Sequence, residues 1–182
     1  ESSSGCVINA DVYLTNREAL CRLLNSHAET ADAILILQAY LKWGDHCTRY
    51  LTGQFCFMIW DPRHQHLFSA VDPFAQNPLF YVYQPGQFFI MANECSPFHT
   101  LCPVLTLNPK RLMGFAKDVH SSTETAYQEI RKLPAGHQLI FTTQKLRQTC
   151  YWHLKDHRKR LHYQTREHYY SELQKQFERA VR

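Results

Sequence analysis

The sequence predicts an α+β domain, most simply a layered sandwich of helices against mostly antiparallel strands. Three observations point there. Residues 55–60, Phe-Cys-Phe-Met-Ile-Trp, are apolar at every position and read as a strand covered on both faces. Asp61-Pro62, Asp72-Pro73 and Gln84-Pro85-Gly86 punctuate four strand-like runs at 55–60, 67–71, 79–83 and 88–93. Short turns of this kind imply one antiparallel sheet. Helical spacing flanks these runs on both sides. The 45% hydrophobic content of 182 residues suffices for a real core in one good-sized domain.

The elements follow in order. Residues 1–5 read as a polar turn and 6–13 (CVINADVY) as a strand. Thr15 is placed to cap a helix, with Glu18 three residues on, and Leu20, Leu23 and Leu24 share one face. After a polar break at 26–31, Thr30 or Asp32 caps a second helix. It carries Ile34, Leu35, Leu37, Gln38 and Leu41 to Trp43, and Gly44 stops it. Residues 46–51 read as a short helical turn. Beyond the four strands, 97–103 is loop or short helix, 108–116 a helix with Pro109 at its first position, and 121–124 a further cap. A sharp turn at 133–137 enters a strand pair, 138–142 and 146–152. The end, 166–182, is amphipathic, with Tyr169, Leu173, Phe177 and Ala180 or Val181 at helical spacing. No repeat or low-complexity tract interrupts this order.

Several function classes lose support on composition. The formal charge of +4 is concentrated in residues 155–166. That run lacks aromatic-basic interleaving or a helix-turn-helix pattern, so it reads as a solvated linker, and no nucleic-acid partner is expected. No segment has membrane-span length and the start is no signal peptide, so no membrane partner is expected either. Seven cysteines at irregular spacing, with no C-x-x-C pair, argue against zinc and fit a reducing, cytoplasmic setting. Cys21 and Cys56 read as small buried hydrophobes. Cys95 and Cys102 flank Pro97 and read as unpaired thiols. His64 and His66 share one face of a hairpin, but two ligands without a third make a weak metal site and a solvated turn accounts for them. Tyr81, Tyr83, Phe88 and Phe89 read as core packing across a hairpin. On the residues alone, Asn9 is a polar group satisfying backbone at a strand end and Asp32 a helix cap.

The ordered series INADVY–TNRE, Ala31-Asp32, Ile36-Leu37, Ala39-Tyr40, Trp43-Gly44-Asp45, Leu51–Gly53, Phe55–Trp60-Asp61-Pro62-Arg63 and Asp72-Pro73-Phe74…Pro78-Leu79-Phe80-Tyr81 resembles a known family. It is similar to the N-terminal glutaminase domain of asparagine synthetases, whose pattern runs FNGEIYN, SD..V.L..Y..WG, L.G.FAFA.WD, RD..G..PLYY, FASE, LPPG. Within that family, ADVYLTNREALC resembles the asparagine-synthase-related lasso-peptide macrolactam synthetases. The resemblance covers nearly the whole chain to Trp152. It implies the α-β-β-α sandwich of N-terminal nucleophile hydrolases, lacking its first strands here. It divides the chain into a glutaminase-like domain (1–154), a basic linker (155–166) and the first helix of a following synthetase domain (167–182).

The resemblance also implies roles, residue by residue. Such a glutaminase needs a Cys as residue one, its own amine serving as base. Residue one here is Glu1, and Cys6 belongs to another segment, so no catalytic residue is assigned. Asn9 matches the donor to the oxyanion. Ala10 stands for a Gly whose backbone approaches the substrate, and Asp11 for Glu. Asp32 matches the residue gripping the α-amine. Val71 stands for Arg, Gln76 for Gly and Asn93 for Ser. These departures imply a vestigial glutamine pocket at Asn9, Ala10, Asp11 and Asp32. The implied role is scaffold and substrate guide for an ATP-dependent amide-forming enzyme. No cofactor is expected in this segment; ATP and Mg are expected in the synthetase domain. The partners implied are that domain and a precursor peptide. An active glutaminase domain feeding asparagine synthesis is the competing expectation, and a stand-alone interaction module a third.

Overall fold

The computed structural model describes residues 5–116, 123–158 and 161–181. The expected turn at 1–5 and cap at 121–124 fall wholly or partly outside them. Eight strands form two antiparallel sheets among the described residues. The larger sheet runs β1 (Val7–Leu14), β2 (Gly53–Asp61), β3 (His66–Val71), β7 (His137–Thr142) and β8 (Leu146–Cys150), in that spatial order. The smaller runs β5 (Phe88–Ala92), β4 (Phe80–Gln84) and β6 (Arg131–Lys132). The four central runs therefore do not share one sheet. The loop between β3 and β4 carries the chain across to the second sheet, which turn signals alone do not reveal.

Register divides the large sheet into two faces. Phe55, Phe57 and Ile59 of β2 and Phe68 and Ala70 of β3 point to one side. There they pack under α1 (Arg17–Leu24) and α2 (Asp32–Trp43), with Leu20, Leu35, Ile36, Ala39 and Tyr40. Cys56, Val71 and Leu139 point the other way and meet Leu79 and Leu133 between the sheets. Phe89 of β5 stacks on Phe141 of β7, ring centroids 4.2 Å apart. On the far side of the small sheet, Val82 and Ile130 pack with Phe98 of α3 (Ser96–Leu101). The layers are thus helix, sheet, sheet, helix. Helix α4 (Pro109–Ala116) follows, with Asn108 accepting from Arg111 N–H through Oδ1 at 3.2 Å. Helix α5 (Arg166–Val181) closes the chain, with Tyr169, Leu173, Phe177 and Val181 exposed.

Several local expectations are corrected. Thr15 does not cap α1; its hydroxyl donates to Thr52 O, and Asn16 is the residue before the helix. Leu23 is exposed, and Cys21 is buried beside Leu20 in its place. In α2 the buried face is Leu35, Ile36, Leu37, Ala39 and Tyr40, while Ile34 and Leu41 lie at the surface. Phe88 faces α3, not the aromatic stack. Residues 44–50 form a 3₁₀ turn. Gly53 is required where β2 begins: φ is +141° and a Cβ would lie 2.2 Å from Tyr13 O.

The crossing between sheets is held by Asp72, which is 1% exposed. Its Oδ1 accepts from Phe74 N–H at 2.8 Å, and its Oδ2 from Phe55 and Gln76 N–H at 3.3 Å each. Its carbonyl accepts from Ala75 and Gly136 N–H. One buried residue, through its carboxylate and its carbonyl, therefore joins β2, the crossing loop and the turn before β7. Asp72→Asn turns one oxygen into a donor facing an amide, at a cost of roughly 1–3 kcal/mol, and Asp72→Ala strands all three donors at a larger cost. Urea unfolding of the two variants tests this ranking; an alanine variant as stable as wild type contradicts it.

Candidate functional site

Asn9, Ala10 and Asp11 sit in mid-β1, opposite Met58, Phe57 and Cys56 of β2. Strand alternation splits them. Ala10 turns toward the helices and packs on the core with Ile8 and Val12. Asn9 and Asp11 point to the inter-sheet face, where the small sheet does not reach, and both are exposed. Their neighbours on this open shelf are Met58, Trp60 (43% exposed) and Tyr13 (68% exposed). The side chains of Asn9 and Asp11 make no hydrogen bond with any described residue. Asn9 is thus neither at a strand end nor spent on backbone, which overturns its purely structural reading.

Asp32 is placed differently. It is the first residue of α2 and makes no capping bond. Its Oδ2 accepts from Leu14 N–H at 2.8 Å, and its Oδ1 pairs with the Arg17 guanidinium. Arg17 reaches on to the carbonyls of Ala28 and Thr30. The carboxylate is therefore committed to a clasp tying the end of β1 to both helices, and the cap reading is corrected. Arg17 escaped the sequence reading, although Thr-Asn-Arg-Glu before an apolar run marks where such a clasp would start.

The cysteines offer no activated thiol beside this shelf. Cys6 is fully buried on the helix side, its Sγ 3.7 Å from Arg63 Nη2. Cys56 lies next to Asp11 but is 3% exposed. Burial, then the Asp11 charge, pushes its thiol up to about 11. Burial likewise pushes Cys47 up to about 12. A thiolate is the nucleophile in cysteine chemistry, and these two sites disfavour it. All seven cysteines are free, Cys95 and Cys102 included. Val71 and Gln76 flank Asp72: Val71 is fully buried between the sheets, its carbonyl accepting from Tyr151 Oη at 2.7 Å.

The His64–His66 hairpin is solvated at its tip, as expected, and it also covers a buried polar group. Asp61, fully buried, accepts from Arg63 N–H, Nε and Nη2, from His64 Nδ1 at 2.9 Å and from Tyr40 Oη at 3.0 Å. His66 Nε2 lies 2.8 Å from Tyr40 Oη, and the two imidazoles stack. Arg63 first, with His64 and Tyr40, holds the Asp61 carboxyl far below the usual carboxylate range. Among the described residues, no group of three His, Cys, Asp or Glu side chains is placed to hold a metal ion. No helix among them is long and apolar enough to cross a membrane.

Comparison with known proteins then decides the family. A model of the glutamine amidotransferase domain matches residues 2–152. The chain belongs to the glutamine amidotransferase domain family. The domain is of the kind found in asparagine synthetase-like proteins. It is 24% identical over 163 residues to the glutamine-hydrolyzing asparagine synthetase 3 of Bacillus subtilis, covering 82% of this chain and 25% of that protein. It is 26% identical over 149 residues to a putative glutamine-hydrolyzing asparagine synthetase of Mycobacterium tuberculosis, covering 80% and 21%. The amidotransferase domain thus spans about a quarter of the length of these relatives. Among solved structures, the B. subtilis glutamine phosphoribosylpyrophosphate amidotransferase in complex with ADP and GMP aligns with a TM-score of 0.56 at 16% identity, covering 81% of this chain and 29% of that one. That likeness, with the four layers, makes the fold an N-terminal-nucleophile-type amidotransferase sandwich.

Two outcomes follow for the amidotransferase domain. Asp61 is more acidic folded than unfolded, so its stabilisation is complete above the ordinary carboxylate range and is lost as pH falls below about 4. Melting midpoints measured from pH 7 to pH 3 drop steeply at the acid end, and Asp61→Asn flattens that limb; an unchanged limb contradicts the assignment. Iodoacetamide on the native protein at pH 7.5 labels exposed Cys150 well before Cys47 or Cys56, as peptide mass mapping reads out.

Proposed function

We propose that this is a degenerate, non-hydrolytic glutaminase-like domain of an ATP-dependent amide-forming synthetase of the lasso-peptide macrolactam type. It acts as scaffold and substrate guide. The observation that carries this reading is Asp32. The residue matched to the amine grip has both oxygens engaged, by Leu14 N–H and Arg17. A substrate ammonium would have to displace a guanidinium from it.

In this reading ATP and Mg belong to a synthetase domain beyond residue 182, and α5 is that domain's first helix. The exposed apolar residues of α5 fit a helix that packs on such a domain. ATP would activate a carboxylate of a precursor peptide, and an amine of the same peptide would close the amide. The shelf of Asn9, Asp11, Met58 and Trp60 would steer the peptide. The free thiols suit a cytoplasmic setting.

A second reading, an active glutaminase domain of an asparagine synthetase, draws on two observations. The relatives named above are glutamine-hydrolyzing enzymes, and Asn9 and Asp11 have no internal partner. The intact protein separates the two. The degenerate domain releases no glutamate from glutamine, and the enzyme cyclises its peptide with ATP whether or not glutamine analogues are present. Glutamate release with asparagine formation would sink it.

A further inference from the structure

A small cavity lies on the opposite face of the large sheet from the Asn9–Asp11 shelf. It has a volume of about 150 Å³ and sits between the 3₁₀ turn Gly44–Tyr50 and strands β7 and β8. Gln138, Thr48, Arg49, Arg147, Thr149 and Asp45 contribute to its wall. Gln138 is 7% exposed and Thr48 1%. Thr48 Oγ1 donates to Gln138 Oε1 at 2.9 Å, which anchors the carboxamide by its oxygen. The carboxamide nitrogen has no acceptor among the described residues. That nitrogen is not closed off from solvent, which it meets at the cavity. A side chain more than nine-tenths buried and held by Thr48, with an unpaired donor opening on a cavity, is placed to meet an acceptor ligand there.

The charges specify the acceptor. Arg49 lines the cavity and makes no ion pair or hydrogen bond with a described residue. Arg147 Nη2 lies 3.2 Å from Asp45 Oδ2, and Asp45 Oδ1 lies 3.9 Å from His46 Nε2. Two guanidinium groups, Arg49 and Arg147, stand against the single Asp45 carboxylate, an excess of one positive charge among these side chains. A monoanion balances it; a phosphate dianion beside Asp45 does not. At roughly 30 Å³ per water molecule, the cavity holds a planar group of a few atoms on a short stem. A guanidinium fork and an amide NH₂ both match the in-plane lone pairs of a carboxylate.

We propose that this cavity binds a carboxylate, received by the Gln138 carboxamide and the Arg49 guanidinium, with Thr48 orienting Gln138 from behind. The carboxylate comes from a small free acid or from a peptide terminus. The site is independent of the glutamine pocket, on a separate face built from separate strands.

NMR of the intact ¹⁵N-labelled protein tests this, following the Gln138 side-chain NH₂ and the arginine Nε–H signals. The probes are acetate, trialanine with a free C-terminus, trialanine amide and inorganic phosphate. Acetate or free trialanine shifts the Gln138 NH₂ pair saturably, while the amide does not. Tighter binding of trialanine identifies a peptide terminus, and tighter binding of acetate a small free acid. Arg49→Ala, a surface change that leaves the backbone spectrum intact, weakens binding at least tenfold. Gln138→Glu abolishes it. No saturable shift with either carboxylate, phosphate binding more tightly than both, or unchanged affinity in Arg49→Ala overturns the proposal.

Discussion

The buried carboxylate of Asp72 is the constraint on which the two-sheet arrangement depends. A charge taken this far from water is tolerated only where donors surround it. Here the donors are backbone amides from β2 and from the crossing loop, while the Asp72 carbonyl receives Gly136 N–H ahead of β7. The bond partners span the junction where the chain leaves one sheet for the other. Leu133 N–H then meets Leu79 O, which fastens the turn before β7 to the start of the small sheet. Val71 and Leu79, on either side of Asp72, are both fully buried in the core between the sheets. The polar hub and the apolar core thus fix the same geometry.

That geometry sorts chemistry by strand parity. Residues one apart on β1 face opposite layers, so Ala10 belongs to the helix-side core while Asn9 and Asp11 share the open shelf. The same alternation on β7 and β8 sends Leu139 and Phe141 between the sheets and Gln138 toward the Gly44–Tyr50 turn. The large sheet therefore carries the Asn9–Asp11 shelf on one face, and the Gln138 cavity together with the Asp61–Tyr40–His66 group on the other. The family likeness bears on the shelf; nothing in the family pattern bears on the Gln138 cavity.

Residues 55–60 of β2, apolar throughout, made the strand legible in the sequence, although only one face is buried along its length: Met58 and Trp60 on the other face open on the shelf. The Gly44 stop and Pro109 start were legible because glycine and proline constrain backbone directly. What escaped was set by partners distant in sequence. Thr15 and Asn16 answer to Thr52 and Tyr50, about 35 residues on, and so do not follow the local capping pattern. His66 looks solvated until Tyr40, from α2, is placed beneath it. The split into two sheets turns on Asp72, whose role needs Phe55 and Gly136 near it. At the site, Asn9 and Asp11 were marked only by resemblance, and the engagement of Asp32 required Arg17 to be seen reaching it. Gln138 gave no sequence signal, since a glutamine in a strand is ordinarily a surface residue.

The residues matched to a glutamine pocket divide in the structure: Asn9 and Asp11 stay open on the shelf, Ala10 packs on the core and Asp32 is held in a clasp. Whether glutamine still binds is the direct test, independent of turnover. The intact ¹⁵N-labelled protein titrated with L-glutamine to 50 mM reports on the Asn9 side-chain NH₂ and the Arg17 Nε–H. A degenerate pocket gives no saturable shift at either group. A saturable shift at both, with Arg17 released from Asp32, would contradict it and restore the domain to the glutamine-using members of its family.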